Sequence, residues 1–220
     1  MRSLVVDIET LPIVDAAEYL EPLEPPANYV NQDAIERWMM KARIAQLQRC
    51  SLDPDLCRIC ALGVKTEELC NSVIAPNEEE EAIVLNAFWD LFYEDDPILP
   101  RLITFNGHLF DLVVIMRRSL YLGVSHETIN LDRYKTPHLD LWAVLSQHGR
   151  LPTHSLHFYA KRFGIPIERG DLSGEQVARL ALEDKWEEIA AHNRSDLEIE
   201  AALAARLGFL MWPQYAAQAS

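Results

Sequence analysis

The feature that most constrains this chain is the run "SLVVDIE" at residues 3–9. It reads as a short buried strand. Successive side chains of a strand alternate between faces, so residues i and i+2 project together. Asp7 and Glu9 therefore share one face, while Leu4, Val6 and Ile8 point the other way. Acids are poor strand formers and are rarely buried without partners. Two carboxylates this close repel, and one pKa rises unless a positive group intervenes. A hard divalent cation is a natural partner for such a pair. The plainer alternative for an isolated Asp-x-Glu is a strand end whose acids reach solvent.

The rest of the chain builds an α/β pattern around that strand. Residues 11–57 interrupt it. A proline-rich stretch, "LPIVDAAEYLEPLEPPANYVN", reads as irregular, and "QDAIERWMMKARIAQLQR" has helical spacing. "CRICALGVK" and "LCNSVIA" read as two strands joined by a turn at "TEE". "NEEEEAIVLNAFWDLFYEDD" is a helix with Asn77 as N-cap and a solvated run of glutamates in its first turn. "RLITFNG" is a strand ending at Phe105, and "FDLVVIMRRSLYLG" a helix closed by Gly123. Beyond it, "LDLWAVLSQH", "SLHFYAKRFG" and "EDKWEEIAAHNRSDLEIEAALAARLGFL" are helical. The expected fold is one α/β domain over 1–220. It has a mixed sheet of about five strands flanked by helices, and a helical insertion at about 11–57.

Bulk properties exclude some classes. No apolar stretch approaches the ~20 residues that span a bilayer, so no membrane partner is expected. The acids at 7 and 9 break what would be the apolar core of a secretory signal. Four cysteines in 220 residues suggest no disulfide framework, and the expected home is intracellular and cytoplasmic. With 20 basic and 34 acidic side chains the net charge is −14, which argues against gripping long duplex nucleic acid through its phosphates. It leaves room for a protein that handles a chain end through bound cations.

Two further acids stand where chemistry gathers in sheet proteins. In "ITFNGHLFDLVVI" a strand ends, Asn106 and Gly107 turn the chain, and Asp111 enters the next helix. Asn106 and Phe110 are then placed to meet a ligand by hydrogen bond and by stacking. Complementing the helix N-terminus is the plainer role for Asp111. In "AAHNRSDLEIEAAL", His192 and Asp196 lie four apart and share a helical face, as surface pairs also do.

Several other features read as structural. Cys57-x-x-Cys60 lacks a second tight hook for zinc. His154 and His157 fit a helix cap or surface, with a metal role as the alternative, and Asp140 a helix start with an auxiliary acid as the alternative. Arg117, Arg118, Lys161 and Arg162 fit a solvated face, with guidance of a nucleic acid strand as the alternative.

Taken in order, "DIET", "FNGHLFD" and "HNRSD" resemble the three motifs of the DEDD superfamily of 3′–5′ exonucleases, which share a ribonuclease H-like fold. "HLDLW", "SLHFYAKRFGIP" and "SGEQVARLALEDKWEEIAAHNRSDLE" are similar to the subgroup related to the proofreading domain of family B DNA polymerases. The insertion is similar to one in stand-alone exonucleases of phage and prophage type. The resemblance implies that Asp7, Glu9, Asp111 and Asp196 hold two divalent metal ions, Mg²⁺ or Mn²⁺, and that His192 is the general base. It implies that Thr10, Leu11, Asn106 and Phe110 contact the 3′ end of a nucleic acid, with DNA favoured over RNA. The activity implied is removal of nucleoside 5′-monophosphates from single-stranded or frayed 3′ ends. An exoribonuclease of the same fold, or a catalytically weak binding module, are the alternatives. One departure stands out. The His-type branch carries its histidine five residues before the last Asp, and the Tyr-type branch a tyrosine four before. This chain has His192 at the tyrosine's spacing and Ala191 at the histidine's.

Overall fold

The computed structural model describes residues 2–93, 99–170 and 172–216. Five strands, β1 (Ser3–Pro12), β2 (Cys57–Lys65), β3 (Cys70–Ile74), β4 (Arg101–Thr104) and β5 (Leu139–Asp140), form one sheet in the order β3-β2-β1-β4-β5. The β1–β2 and β2–β3 pairs are antiparallel, and the β1–β4 and β4–β5 pairs parallel. The helices are α1 (Gln32–Cys50), α2 (Glu78–Tyr93), α3 (Asp111–Tyr121), α4 (Leu141–Leu145), α5 (Leu156–Phe163), α6 (Gly174–Leu182), α7 (Trp186–Arg206) and α8 (Pro213–Ala216). This is the expected mixed five-stranded α/β architecture, ribonuclease H-like.

The alternation of β1 decides what each layer covers. Leu4, Val6 and Ile8 join the core made with α2 and α3, through residues such as Leu85, Trp89, Leu112 and Ile115. On the opposite face Val5 packs with Leu197 and Leu203 of α7 and Tyr159 of α5. Leu11 packs further along that face with Val177 and Leu180 of α6 and Ile189 of α7. Asp7 and Glu9 thus occupy the interval between two apolar patches, and α7 crosses both patches. The acids are retained in an apolar strand because their neighbours anchor a helix directly above them.

Several local expectations shift. β1 runs on to Pro12, and the insertion between β1 and β2 is a 3-10 turn at Ala16–Tyr19 followed by α1. β4 ends at Thr104, one residue before the expected Phe105. "LDLWAVLSQH" does not begin as a helix, because Leu139 and Asp140 pair with Ile103 and Thr104 as the fifth strand. Asn77 caps α2, its side chain accepting from the Glu80 N–H at 3.0 Å. The part of that expected helix beyond Tyr93, residues 94–96, lies outside the described residues.

The glutamate run is not uniformly solvated. Glu81 is fully buried, accepting from the Ile59 N–H at 2.8 Å and from Arg118 at 2.8 Å on each oxygen. Arg118, read as solvated or strand-guiding, is itself buried and also reaches Glu78 at 2.9 Å. A buried carboxylate needs a cation, and the stripe Glu81, Val84, Leu85, Phe88 sends Glu81 inward to find one.

Candidate active site

β1 is longer than its parallel partner. The pairing with β4 covers only Ser3 to Val5, so the edge of β1 beyond Val5 faces a crevice at the strand ends. The N–H of Ile8 points into that crevice, where Asp111 Oδ1 accepts it at 3.2 Å. Asp111 is delivered by the turn after β4. Asn106 there adopts φ +68, a left-handed conformation that asparagine tolerates better than most residues. Asp140 fixes this turn: Oδ1 accepts from the Asn106 N–H at 2.9 Å and Oδ2 from the His108 N–H at 3.2 Å. The same Oδ1 accepts from the Ala143 N–H at 3.0 Å, which caps α4. Asp140 is therefore a helix cap and also the clamp of the turn that carries Asp111.

On the other side of β1, α7 approaches unusually closely. Gly63 of β2 sits opposite Asp7. A Cβ on Gly63 would run into Asn193 Oδ1 and lie 2.7 Å from Leu197 Cδ1. With glycine there, Asn193 Nδ2 donates to Asp7 Oδ2 at 2.7 Å. Just beyond, the register of β1 and β2 slips by one residue between Glu9 and Thr10. Bulges of this kind bend a strand and re-aim side chains, and they recur beside active sites.

The −4 spacing of the histidine has a clear geometric result. His192 is buried and its Nε2 lies 3.6 Å from Glu9 Oε1 and 3.5 Å from Asp196 Oδ2. The ring thus spans the first and last acids of the set. It also lines a cavity of about 330 Å³ together with Arg169, Gln176 and Glu188. A larger cavity, about 750 Å³, lies by the start of β1 and the β2–β3 turn, among Arg2, Leu69, Arg101 and Trp212, and none of the acids of this site lines it.

The electrostatics record how closely the acids converge. Burial, then the charges of Glu200, Asp111, Glu9 and Asp196, hold the Asp7 carboxyl well above the ordinary range. Burial pushes Asp111 up to about 7, against the pull of two backbone N–H groups and with a further push from Asp140. Asp7, Glu9, Asp111, Asp196 and His192 are thus brought to one place. Of the expected substrate contacts, Thr10 is buried and its hydroxyl donates to the Ser51 carbonyl at 2.6 Å, tying β1 to the end of α1. Leu11 belongs to the apolar patch under α6. Phe110 precedes α3 and packs half-buried against the core that contains Ile8.

Three participants were not in the sequence reading of the site. Asn193 is the Asp7 donor. His157, read as a cap or surface residue, has Nε2 at 3.0 Å from Asp196 Oδ1. Glu200 is almost fully buried one helical turn beyond Asp196. Burial first, then Asp111, Asp196 and Asp140, raise its pKa well above the usual range. Its position follows from the sequence, since residues 192, 196 and 200 repeat every four on one helix.

The donor set suits a hard divalent cation: four carboxylates, with the mutual repulsion at Asp7 that such an ion relieves. As the side chains stand, each acid is turned toward a protein partner. No group of three or more His, Cys, Asp or Glu residues among those described has the spacing to hold a metal ion. The cysteines at 50, 57, 60 and 70 are free thiols. No helix among the described residues is long and apolar enough to cross a membrane.

Residues 52–199, about two-thirds of the chain, match a family model described as a predicted 3′–5′ exonuclease related to the exonuclease domain of PolB. The match takes in Asp111, His157, His192 and Asp196 and begins after Asp7 and Glu9. No curated protein matches the chain.

Proposed function

The chain belongs to this family of 3′–5′ exonucleases related to the exonuclease domain of PolB, and from that premise we propose that it shortens DNA from the 3′ end, one nucleoside 5′-monophosphate at a time. The observation that carries the reading is the meeting of Asp7 and Glu9, from a strand outside the family match, with Asp111 and Asp196 from within it. A chance pair of acids on β1 has no reason to face the two that the family supplies.

Asp7, Glu9, Asp111 and Asp196 would hold two divalent ions, Mg²⁺ or Mn²⁺. Such ions supply an activated water and stabilise the leaving 3′ oxygen. The protein's own contribution is positioning. Ile8 N–H and Asn193 orient Asp111 and Asp7. His192 Nε2 accepts the proton of the attacking water, and a proton held there stays within reach of Glu9 and Asp196. The Asn106 turn, clamped by Asp140, receives the terminal nucleotide together with Phe110 and the backbone near Thr10 and Leu11. Stacking on an aromatic ring tolerates any base, so little sequence preference is expected. DNA is preferred over RNA because of the relation to PolB.

The test uses 5′-labelled single-stranded DNA and RNA with Mg²⁺ or Mn²⁺. A ladder of 3′-shortened DNA should appear, and should vanish with EDTA and in Asp7→Ala. Faster loss of RNA would reassign the substrate. Intact polymers under every metal condition would sink the enzymatic reading. In the same assay His192→Ala should lose at least about 100-fold in rate, the usual contribution of a general base. An unchanged rate would remove that role.

A further inference from the structure

Asp196 is held from two sides. His192, on the same helix, stands 3.5 Å from Oδ2, while His157 Nε2, from α5, lies 3.0 Å from Oδ1. The second contact is the closer one and is made by a residue 39 positions away in the chain.

His157 has no local duty that would explain its position. The N-cap of α5 is Ser155, whose hydroxyl already accepts from the Phe158 N–H at 3.2 Å. The imidazole is not a surface group either, with a side chain only 14% exposed. It follows Leu156 and precedes Tyr159 and Ala160, the buried face that packs α5 against α7. That packing fixes the ring relative to Asp196. A carboxylate has only acceptors to offer, so His157 donates its Nε2–H, as it does in either the neutral Nε2–H form or the imidazolium.

We propose that His157 is a positioning residue of the exonuclease site. It holds Asp196 Oδ1 so that Oδ2 stays turned to the side of His192 and Glu9, where an ion or the attacking water is handled. This rests on the exonuclease reading above. A carboxylate held by one oxygen cannot swing about its terminal torsion. Partners that orient metal ligands in this way are commonly worth about 10–100-fold in metal affinity or activity.

The experiment measures Mn²⁺ binding without nucleic acid, by titration calorimetry and by the electron spin resonance of free Mn²⁺, on wild type, His157→Leu, His157→Ala and His157→Gln. Exonuclease kinetics follow on the same proteins. Glutamine keeps an N–H donor near the place of Nε2, whereas leucine and alanine do not. Leucine and alanine should each weaken Mn²⁺ by about 10–100-fold. They should lower kcat with little change in KM, while glutamine restores most of both. Wild-type Mn²⁺ affinity and kcat in His157→Leu or His157→Ala would overturn the proposal alone. So would a His157→Gln protein as impaired as the alanine variant with a melting temperature lowered equally, which marks a packing role. Wild-type protein that binds no Mn²⁺ would overturn the exonuclease reading itself, and this proposal with it.

Discussion

Two sets of buried acids lie on opposite faces of the same strand, and the protein treats them differently. Glu81, under the α2–α3 layer, is fully enclosed, and a guanidinium meets both of its oxygens. Asp7 and Glu200, on the α7 face, and Asp111, at the free edge of the strand, have among the described residues no lysine or arginine bonded to them. Their partners are neutral: Asn193, and the N–H groups of Ile8 and Phe105. Glu200 Oε2 has no hydrogen-bond partner among the described residues. The first arrangement closes its charge account within the fold. The second leaves its carboxyls at a crevice without a cation, so they hold protons until a cation takes their place.

The largest effect expected from this contrast is at Arg118. Arg118→Leu leaves Glu81 buried without its cation, which costs on the order of 3–5 kcal/mol. For a chain of this size the melting temperature should drop by about 10 °C. Pairing it with Glu81→Leu should recover much of the loss. Thermal denaturation of the single and double variants checks both, and equal stability of Arg118→Leu and wild type would erase the distinction between the two faces.

A smaller loss is expected at Gly63, which sets the gap between β2 and α7. The added methyl of Gly63→Ala meets Asn193 and Leu197. Overpacking of that kind costs about 1–3 kcal/mol. Because α7 must move away from β1, exonuclease rate should fall by more than stability alone explains. Activity assayed well below the melting temperature separates the two, and full activity there would show that α7 has room to spare.

The smallest effect has the opposite sign. Asp111 in the folded protein titrates at about 7, against roughly 3.9 for an unperturbed Asp. Between those values the folded chain keeps a proton that the unfolded chain has released. Metal-free stability therefore declines as pH rises through that window. The raised Asp7 and Glu200 act in the same direction. The metal-free melting temperature should be higher at pH 5 than at pH 7.5, and Asp7→Asn should raise it at pH 7.5. Calorimetry in EDTA checks this, and a melting temperature that climbs from pH 5 to 7.5 would contradict it. Saturating Mg²⁺ or Mn²⁺ should flatten the wild-type slope.

What could be read from the chain divides along the range of the interactions. β1, β2, α3 and α7 announce themselves by local periodicity, and the order of Asp7, Glu9, Asp111 and Asp196 marks the candidate site. β5 is two residues long, too short for any pattern, and exists only because β4 offers it an edge. Glu81 hid in a run of four acids, although Val84, Leu85 and Phe88 place it on the buried stripe. His157 and Asn193 left no signal, since each is defined by a partner 39 or 186 residues away.

That last separation bears on how the molecule comes into being. Asn193 and Asp7 are 186 residues apart, and Asp196 and His192 lie in the same late helix. A chain grows from its N-terminus, and its long-range contacts form last. The acids of β1 are made long before α7, and their partners are missing until α7 has emerged and docked. A chain cut before α7 keeps Asp7, Glu9 and Asp111 but lacks His192, Asn193 and Asp196, so the four acids cannot meet.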